Sequence, residues 1–269
     1  MPEAWTMPNS ISPSRMGLFL QCPFKFRVET IQKMPSGTNG AAVAGTAMHA
    51  ALEELMKLPG PERTPEALKP LVEQALVDIK ETDDYKSLTP DQLKDFDAKC
   101  RRVTPRAFEM NLDVEGMNVE STEMRFEVDL DGWILRGIID LLEDRPDFGR
   151  IVWDWKSGKA PWAKYEDKAL LGLEFYAVAV KHLFDAIPAG VGLLYIAERK
   201  SIKRVPTAKT VEATERKILA VRDSIQKACD TDSFRCSTSK LCDWCAVKPY
   251  CPAHGGSEDA IQALVDLSS

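Results

Sequence analysis

Ile151-Val152-Trp153-Asp154-Trp155-Lys156-Ser157-Gly158 is a short stretch in which aromatic and charged side chains alternate. An extended chain sends successive side chains to opposite faces, so Trp153 and Trp155 share one face while Asp154 and Lys156 share the other. An otherwise apolar strand thus presents a carboxylate and an ammonium side by side. Taken alone, that pair reads better as a strand end where an acid and a lysine reach water; the flanking sequence gives it weight.

Immediately upstream, Glu120 to Leu130 and Trp133 to Glu143 alternate as two strands, and the Asp131-Gly132 pair between them is a strong two-residue hairpin signal. Turn residues Pro146 to Gly149 then lead into the Asp-Trp-Lys strand, read as Arg150 to Lys156. Within the hairpin, Leu135-Arg136-Gly137-Ile138-Ile139-Asp140 places a second carboxylate late in an apolar run. Desolvating an ionised carboxylate costs on the order of several kcal/mol, so Asp140 needs a cation or a partner such as Arg136 or Lys156. Asp140 and Asp154 on adjacent strands would make a hard oxygen site suited to Mg²⁺ or Mn²⁺.

Farther out, the periodicity is helical. Ala41 to Leu58 carries Met48, Leu52, Leu55 and Met56 on one face and is stopped by Pro59-Gly60-Pro61. His49 borders that apolar face, and Glu53, one turn on, is placed to orient it or to act as a ligand itself. Pro65 to Thr82 and Pro90 to Leu112 are two strongly charged helical segments that read as an insertion. Ser12-Pro13 opens a short helix running toward Cys22-Pro23. After the strands, Glu166 to Phe184 is apolar nearly all round and therefore a buried helix. Val191 to Ala197 is a continuous apolar strand suited to the centre of a mixed sheet, and a helix carrying Ile218, Val221, Arg222 and Ile225 follows. The core order is helix, three strands, helix, strand, helix: an α/β arrangement.

The 269 residues hold 35 Lys+Arg against 41 Asp+Glu, a formal charge of -6. That excludes a generally basic nucleic-acid coat but leaves room for a local basic groove or a carboxylate cluster around metal ions. With 44% hydrophobic and 28% charged residues, the chain is expected to be a folded soluble protein. Its apolar runs fall short of the roughly 20 residues of a membrane helix. No charged-then-apolar leader is apparent, so no membrane association and a cytoplasmic location are expected.

Seven cysteines are an odd number, and a disulfide framework does not suit this composition. Cys100 and Cys229 lie in helix-like stretches and read as small buried side chains. Cys242, Cys245 and Cys251 form a C-x2-C-x5-C run, with Cys22 or Cys236 as the fourth thiol of a site. Four thiolates hold either zinc or an iron-sulfur cluster, and spacing alone does not choose.

Together, Gly45-x-x-x-His49, Gly137-x-x-Asp140, Asp154-x-Lys156-Ser157-Gly158 and Tyr176 in the buried helix resemble, in order and separation, the RecB-like branch of the PD-(D/E)XK nuclease superfamily. The likeness runs along nearly the whole chain. It implies a restriction-endonuclease-like α/β core, a mixed central sheet flanked by helices. His49, Asp140, Asp154 and the Trp155 backbone carbonyl would hold Mn²⁺ or Mg²⁺, with Asp140, Asp154 and Lys156 as the catalytic set. Lys156, beside the cation, would take the attacking water's proton or stabilise charge in the transition state. Cys22-Pro23-Phe24-Lys25-Phe26 and the three late cysteines resemble the iron-sulfur members, the AddB subunit and the CRISPR-associated Cas-four exonuclease. That implies a 4Fe-4S cluster on Cys22, Cys242, Cys245 and Cys251, and it ranks Cys236 below Cys22. A redox-sensing role for the cluster stays open beside a structural one.

On this resemblance, residues 1–269 form one RecB-like nuclease domain. Its parts are an N-terminal segment 1–40 with the first cluster cysteine, a helical insertion 60–118, a nuclease core 119–230, a three-cysteine segment 231–256 and a tail 257–269. The expected function is metal-dependent DNA exonuclease activity on single strands or DNA ends, in recombination, repair or CRISPR-adaptation-type processing, with proteins of those processes as partners. Candidate DNA contacts are Tyr176, Arg101 and Arg102 in the insertion, and Arg199 and Lys200 after the last core strand; Trp162 and Tyr165 are candidates for stacking on unpaired bases. One position departs from the family pattern: Gly172 stands where the family carries a glutamine, four residues before the tyrosine. That keeps open a non-catalytic DNA-binding accessory module. An iron-sulfur redox protein is a further alternative, but it leaves the Asp-x-Lys constellation without a purpose.

Overall fold

The computed structural model describes residues 5–34, 37–110, 112–162, 166–257 and 261, the side chains of 167 and 168 excepted. The chain packs as two compact units: Thr38–Phe126 with Ile138–Val211, and Met1–Gly37 with Glu127–Gly137 and Glu212–Ser269.

The elements follow in chain order. β1 (Ser10–Ile11), α1 (Pro13–Gln21), α2 (Pro23–Phe26), α3 (Gly40–Lys57) and α4 (Pro65–Lys80) come first. α5 (Asp83–Lys86), α6 (Pro90–Leu93) and α7 (Phe96–Val103) lead to the long strands β2 (Val119–Leu130), β3 (Trp133–Arg145) and β4 (Gly149–Lys156). α8 (Glu166–Phe184), β5 (Gly190–Tyr195), β6 (Lys200–Arg204) and α9 (Ala208–Thr231) complete the order. Along the hydrogen-bonded path the strands run β1-β3-β4-β5-β6, with β2 also on β3. β3 and β4 are antiparallel, β4 and β5 parallel, and β5 and β6 antiparallel. The fold is therefore α/β with a mixed sheet flanked by helices, as expected.

In the larger unit the apolar side of the sheet is set by the alternation of β4. Trp153 and Trp155 lie in one cluster with Leu141 and Leu194 and with buried side chains of α3, α4 and α7. Trp153 pairs in register with Gly192 of β5, where a Cβ would stand 2.4 Å from the indole; the glycine makes room for the ring. The Trp153 Nε1–H donates to the buried Glu143 at 2.8 Å, so this large side chain leaves no orphaned donor. α8 packs against β4 and β5. α3 begins where Asn39 Oδ1 accepts the N–H groups of Ala41 and Ala42, both at 3.0 Å, and it stops before Pro59. The charged segments after it are stitched at their ends by Arg63, whose guanidinium donates to the carbonyls of Leu58, Val114 and Met117.

The smaller unit holds the tip of the long hairpin. Asp131 (φ 54°) and Gly132 (φ 76°) are both left-handed, the backbone of a type I′ turn, as the Asp-Gly pair predicts. β1 runs parallel to the first residues of β3, pairing Ser10 with Ile134 and Ile11 with Leu135. Ser12 caps α1, with Pro13 at its first position. A second cluster gathers Phe24, Val28, Val247 and Cys251, with Cys22, Cys236 and Cys245 packed against it.

Two local readings change. Pro90 to Leu112 is not one helix: Asp95 takes a left-handed φ of 58°, separating α6 from α7, and a 3-10 segment replaces the α-helix at Thr104–Glu109, where Pro105 has no N–H to give. The strand expected over Val191 to Ala197 ends at Tyr195 in a 3-10 turn, Ile196–Glu198, before the short edge strand β6. Among the described residues no helix is long and apolar enough to cross a membrane.

Candidate active site

The last ladder pair toward the site joins Leu141 of β3 to Trp153 of β4. One step beyond it, Asp140 and Asp154 stand opposite each other and therefore point to the same face, away from the tryptophans. The ladder ends there because the Trp155 N–H donates instead to Asp140 Oδ2, at 2.8 Å. Asp154 is 5% exposed, and its Oδ2, with no hydrogen-bond partner, forms an ion pair with the Lys156 ammonium.

α3 delivers the imidazole. Gly45 faces Ser157 just past β4, where an added Cβ would come to 2.8 Å from the Ser157 hydroxyl. The glycine permits this close approach, and His49 follows one turn later, its Nδ1 3.4 Å from Asp140 Oδ2. Burial, and then the Lys156 charge, lower the His49 pKa, against the opposing pull of Asp154 and a hydrogen bond with the Trp155 main chain. The net shift favours the neutral ring, the form whose lone pair can bind a metal. Glu53 is not part of this group; it pairs with Lys57 at 2.8 Å.

Glu123 of β2 was not anticipated. Ligand atoms of His49, Glu123 and Asp140 all lie within 4.8 Å of one another. Its carboxyl is raised by burial first and by Glu53 next, with Asp154 adding to the effect. Asp140 is pushed up to about 8, by burial first and then by the Asp154 carboxylate, with the Trp155 N–H and Lys156 opposing. An imidazole with crowded carboxylates that resist ionising together is the donor set of a divalent cation site. A cation held there would offset both the burial and the Asp154 repulsion that raise Asp140.

Tyr176 reaches this cluster from α8. Its ring meets Phe126 edge-on, with centroids 6.0 Å apart, and burial followed by the Asp154, Asp140 and Glu123 carboxylates raises its hydroxyl far above the ordinary range. His49, Asp140, Asp154, Trp155, Lys156 and Tyr176 are thus brought together. The basic candidates carry acidic partners: Arg101 is bidentate to Glu73 at 2.6 and 2.7 Å, Arg199 pairs with Glu109, and Lys200 stands 3.8 Å from Glu166. Arg102 is exposed on α7 and Trp162 is 80% exposed, while Tyr165 lies outside the described residues.

In the smaller unit, Cys22, Cys236, Cys242, Cys245 and Cys251 line one pocket. Main-chain N–H groups of Ser237 and Ser239 approach the sulfurs of Cys22 and Cys242 at 3.5 and 3.3 Å. The Cys236 and Cys251 sulfurs are 3.6 Å apart, and burial, followed by the contact with Cys251, raises the Cys236 thiol to about 11. None of the seven cysteines is in a disulfide, and Cys100 and Cys229 are buried, as their helical settings predict.

No curated protein sequence matches the chain. The crystal structure of SSO0001 is similar over 93% of this chain and 88% of that one, at 14% identity and a TM-score of 0.43, a likeness too loose to carry an argument. The profile of the PD-(D/E)XK nuclease superfamily matches residues 10–252, a span that includes every residue of the cluster around Asp140 and Asp154. The chain therefore belongs to the PD-(D/E)XK nuclease superfamily, a family of nucleases that use divalent metal ions.

Proposed function

We propose that this chain is a RecB-like DNA exonuclease of the iron-sulfur type. It acts on single strands or DNA ends in recombination, repair or CRISPR-adaptation-type processing. The observation that carries the reading is the convergence of His49 and Asp140 on the Trp155 main chain, beside the Asp154–Lys156 ion pair. His49, Asp140, Asp154 and the Trp155 carbonyl hold the cation. When bound, a divalent cation lowers the pKa of water and neutralises phosphate oxygens, the two requirements of phosphodiester hydrolysis at neutral pH. Lys156 Nζ stands beside Asp154, placed to receive the attacking water's proton or to offset charge on the phosphate. The Trp155 N–H fixes the Asp140 carboxylate, and the Tyr176 hydroxyl keeps its proton and can donate to a phosphate oxygen. Trp162 offers an exposed indole face to an unpaired base.

Cys22, Cys242, Cys245 and Cys251 carry a 4Fe-4S cluster that ties the two ends of the smaller unit together. The resemblance of the cysteine distribution to the iron-sulfur members supports iron over zinc, and the five thiols that line one pocket can supply the ligands. A cluster gives each thiolate its own iron, and N–H groups like those of Ser237 and Ser239 are the donors that tune it.

The test of end-dependence is hydrolysis of linear against circular single-stranded DNA with Mn²⁺. Loss of the linear substrate alone is expected. Equal loss of both would make the enzyme an endonuclease.

A further inference from the structure

Glu123 is an unusual residue in an unusual place. Beyond it, β2 alternates cleanly, with Phe126, Val128 and Leu130 buried and Arg125, Glu127 and Asp129 exposed. Before it the parity is lost: Glu120, which the same rhythm would bury, is exposed and bonded to Arg150 at 2.6 and 2.8 Å. The slip falls at Glu123, whose φ of 46° is left-handed, the signature of a strand bulge. Glycine would sit there without strain, whereas a glutamate is held in a conformation that L side chains rarely adopt. The bulge re-aims one side chain of a regular strand, and that side chain ends within 4.8 Å of His49 and Asp140.

We infer that Glu123 is a direct ligand of the active-site cation, presented by the β2 bulge alongside His49 and Asp140. The inference rests on the cation-binding reading of that site and adds to it a residue that the family pattern in this sequence does not supply. Of the acids outside the cation site, Glu53 is held by Lys57, while the Trp155 N–H fixes one oxygen of Asp140. Glu123 lies near Arg125 of its own strand, Glu53 and Lys57 of α3, and Asp154 of β4. With Glu123 added to His49, Asp140 and Asp154, one imidazole and three carboxylates surround the site, a mixed nitrogen and oxygen set that favours Mn²⁺ over Mg²⁺.

The experiment is a titration of the full chain with Mn²⁺, reading free Mn²⁺ by its electron paramagnetic resonance signal, for wild type, Glu123→Gln, Glu123→Asp, Asp140→Asn and Glu120→Gln. Glu123→Gln is expected to weaken binding by about 10-fold or more. Glu123→Asp keeps the charge but withdraws the carboxylate, so it too should weaken binding, which a purely electrostatic role would not produce. Glu120→Gln, on the same strand but paired with Arg150, should bind as wild type does. Thermal unfolding in EDTA serves as the fold control, and Glu123→Gln should unfold at or above the wild-type temperature because one of several crowded acids is gone. Wild-type affinity in Glu123→Gln, with binding lost in Asp140→Asn, would overturn the inference and leave the parent reading standing. A lowered unfolding temperature in EDTA together with weak binding would make Glu123 structural and also overturn it. Absence of binding by wild type would remove both.

Discussion

The Trp155 N–H donates to Asp140 Oδ2 at 2.8 Å, so the acid of β3 is fastened to the middle residue of the Asp-Trp-Lys run on β4. A main-chain group that would otherwise continue the ladder is spent on holding a side chain. The two carboxylates are therefore kept on one face at a fixed separation.

Burial, and then the facing Asp154 carboxylate, set a pH dependence that this fastening only moderates. Asp140, raised from 3.8 to about 8, keeps its proton in the metal-free folded protein over a range where an unfolded carboxyl has lost it. Its contribution to stability is complete below pH about 4 and is lost as pH rises through about 8. A cation competes with the same proton, so Mn²⁺ affinity should rise with pH and level off above about 8. Unfolding temperatures in EDTA should fall between pH 6 and pH 9, while those in saturating Mn²⁺ should not. Parallel curves under the two conditions would contradict the coupling.

Lys156 and its acid can be separated by binding against turnover. Lys156→Ala should lower the rate of hydrolysis by about 100-fold or more while leaving the affinity for single-stranded DNA within a few-fold of wild type. A variant that loses affinity and rate in equal measure would place Lys156 in DNA binding instead.

Gly45 and Ser157 make a steric prediction. Gly45→Ala drives a methyl to 2.8 Å from the Ser157 hydroxyl and should destabilise by about 1–3 kcal/mol. With Ser157→Ala the nearest remaining atom is the Cβ, at 3.7 Å. In that background Gly45→Ala should be neutral or stabilising, because alanine is the better helix former by up to about 1 kcal/mol. A double-mutant cycle from denaturant unfolding measures the coupling, and additive effects would refute the contact.

The five thiols of the smaller unit allow a clean contrast. Cys236→Ser should keep the visible absorbance and iron content of wild type, whereas Cys251→Ser or Cys22→Ser should lose both. If Cys236→Ser loses iron and Cys22→Ser retains it, Cys236 is the fourth ligand. Colourless, zinc-loaded wild-type protein would remove the cluster altogether.

Much of the fold was legible because local chemistry and burial agree. Asp131-Gly132 can supply two consecutive left-handed residues, and the largely apolar run from Glu166 to Phe184 buries most of its length, so the hairpin and α8 fall where the pattern places them. The convergence of His49, Asp140 and Asp154 was legible from motif order. Glu123 was not, because a glutamate in an alternating strand reads as solvent-facing, and only the slip at φ 46° turns it inward. β6 was hidden for a similar reason: as an edge strand it buries Ile202 alone and otherwise reads as a basic run. The acid partners of Arg101 and Arg199, Glu73 and Glu109, stand 28 and 90 positions away, beyond any local pattern.

The central claim is that Asp154 belongs to a cation-dependent nuclease site. The most direct measurement is degradation of 5′-labelled single-stranded DNA with Mn²⁺ by wild type and by Asp154→Ala, each with an EDTA control. The account predicts hydrolysis by wild type that EDTA abolishes, and none by the variant while it still folds. Equal hydrolysis by both proteins, or none by wild type with its cation bound, would contradict it.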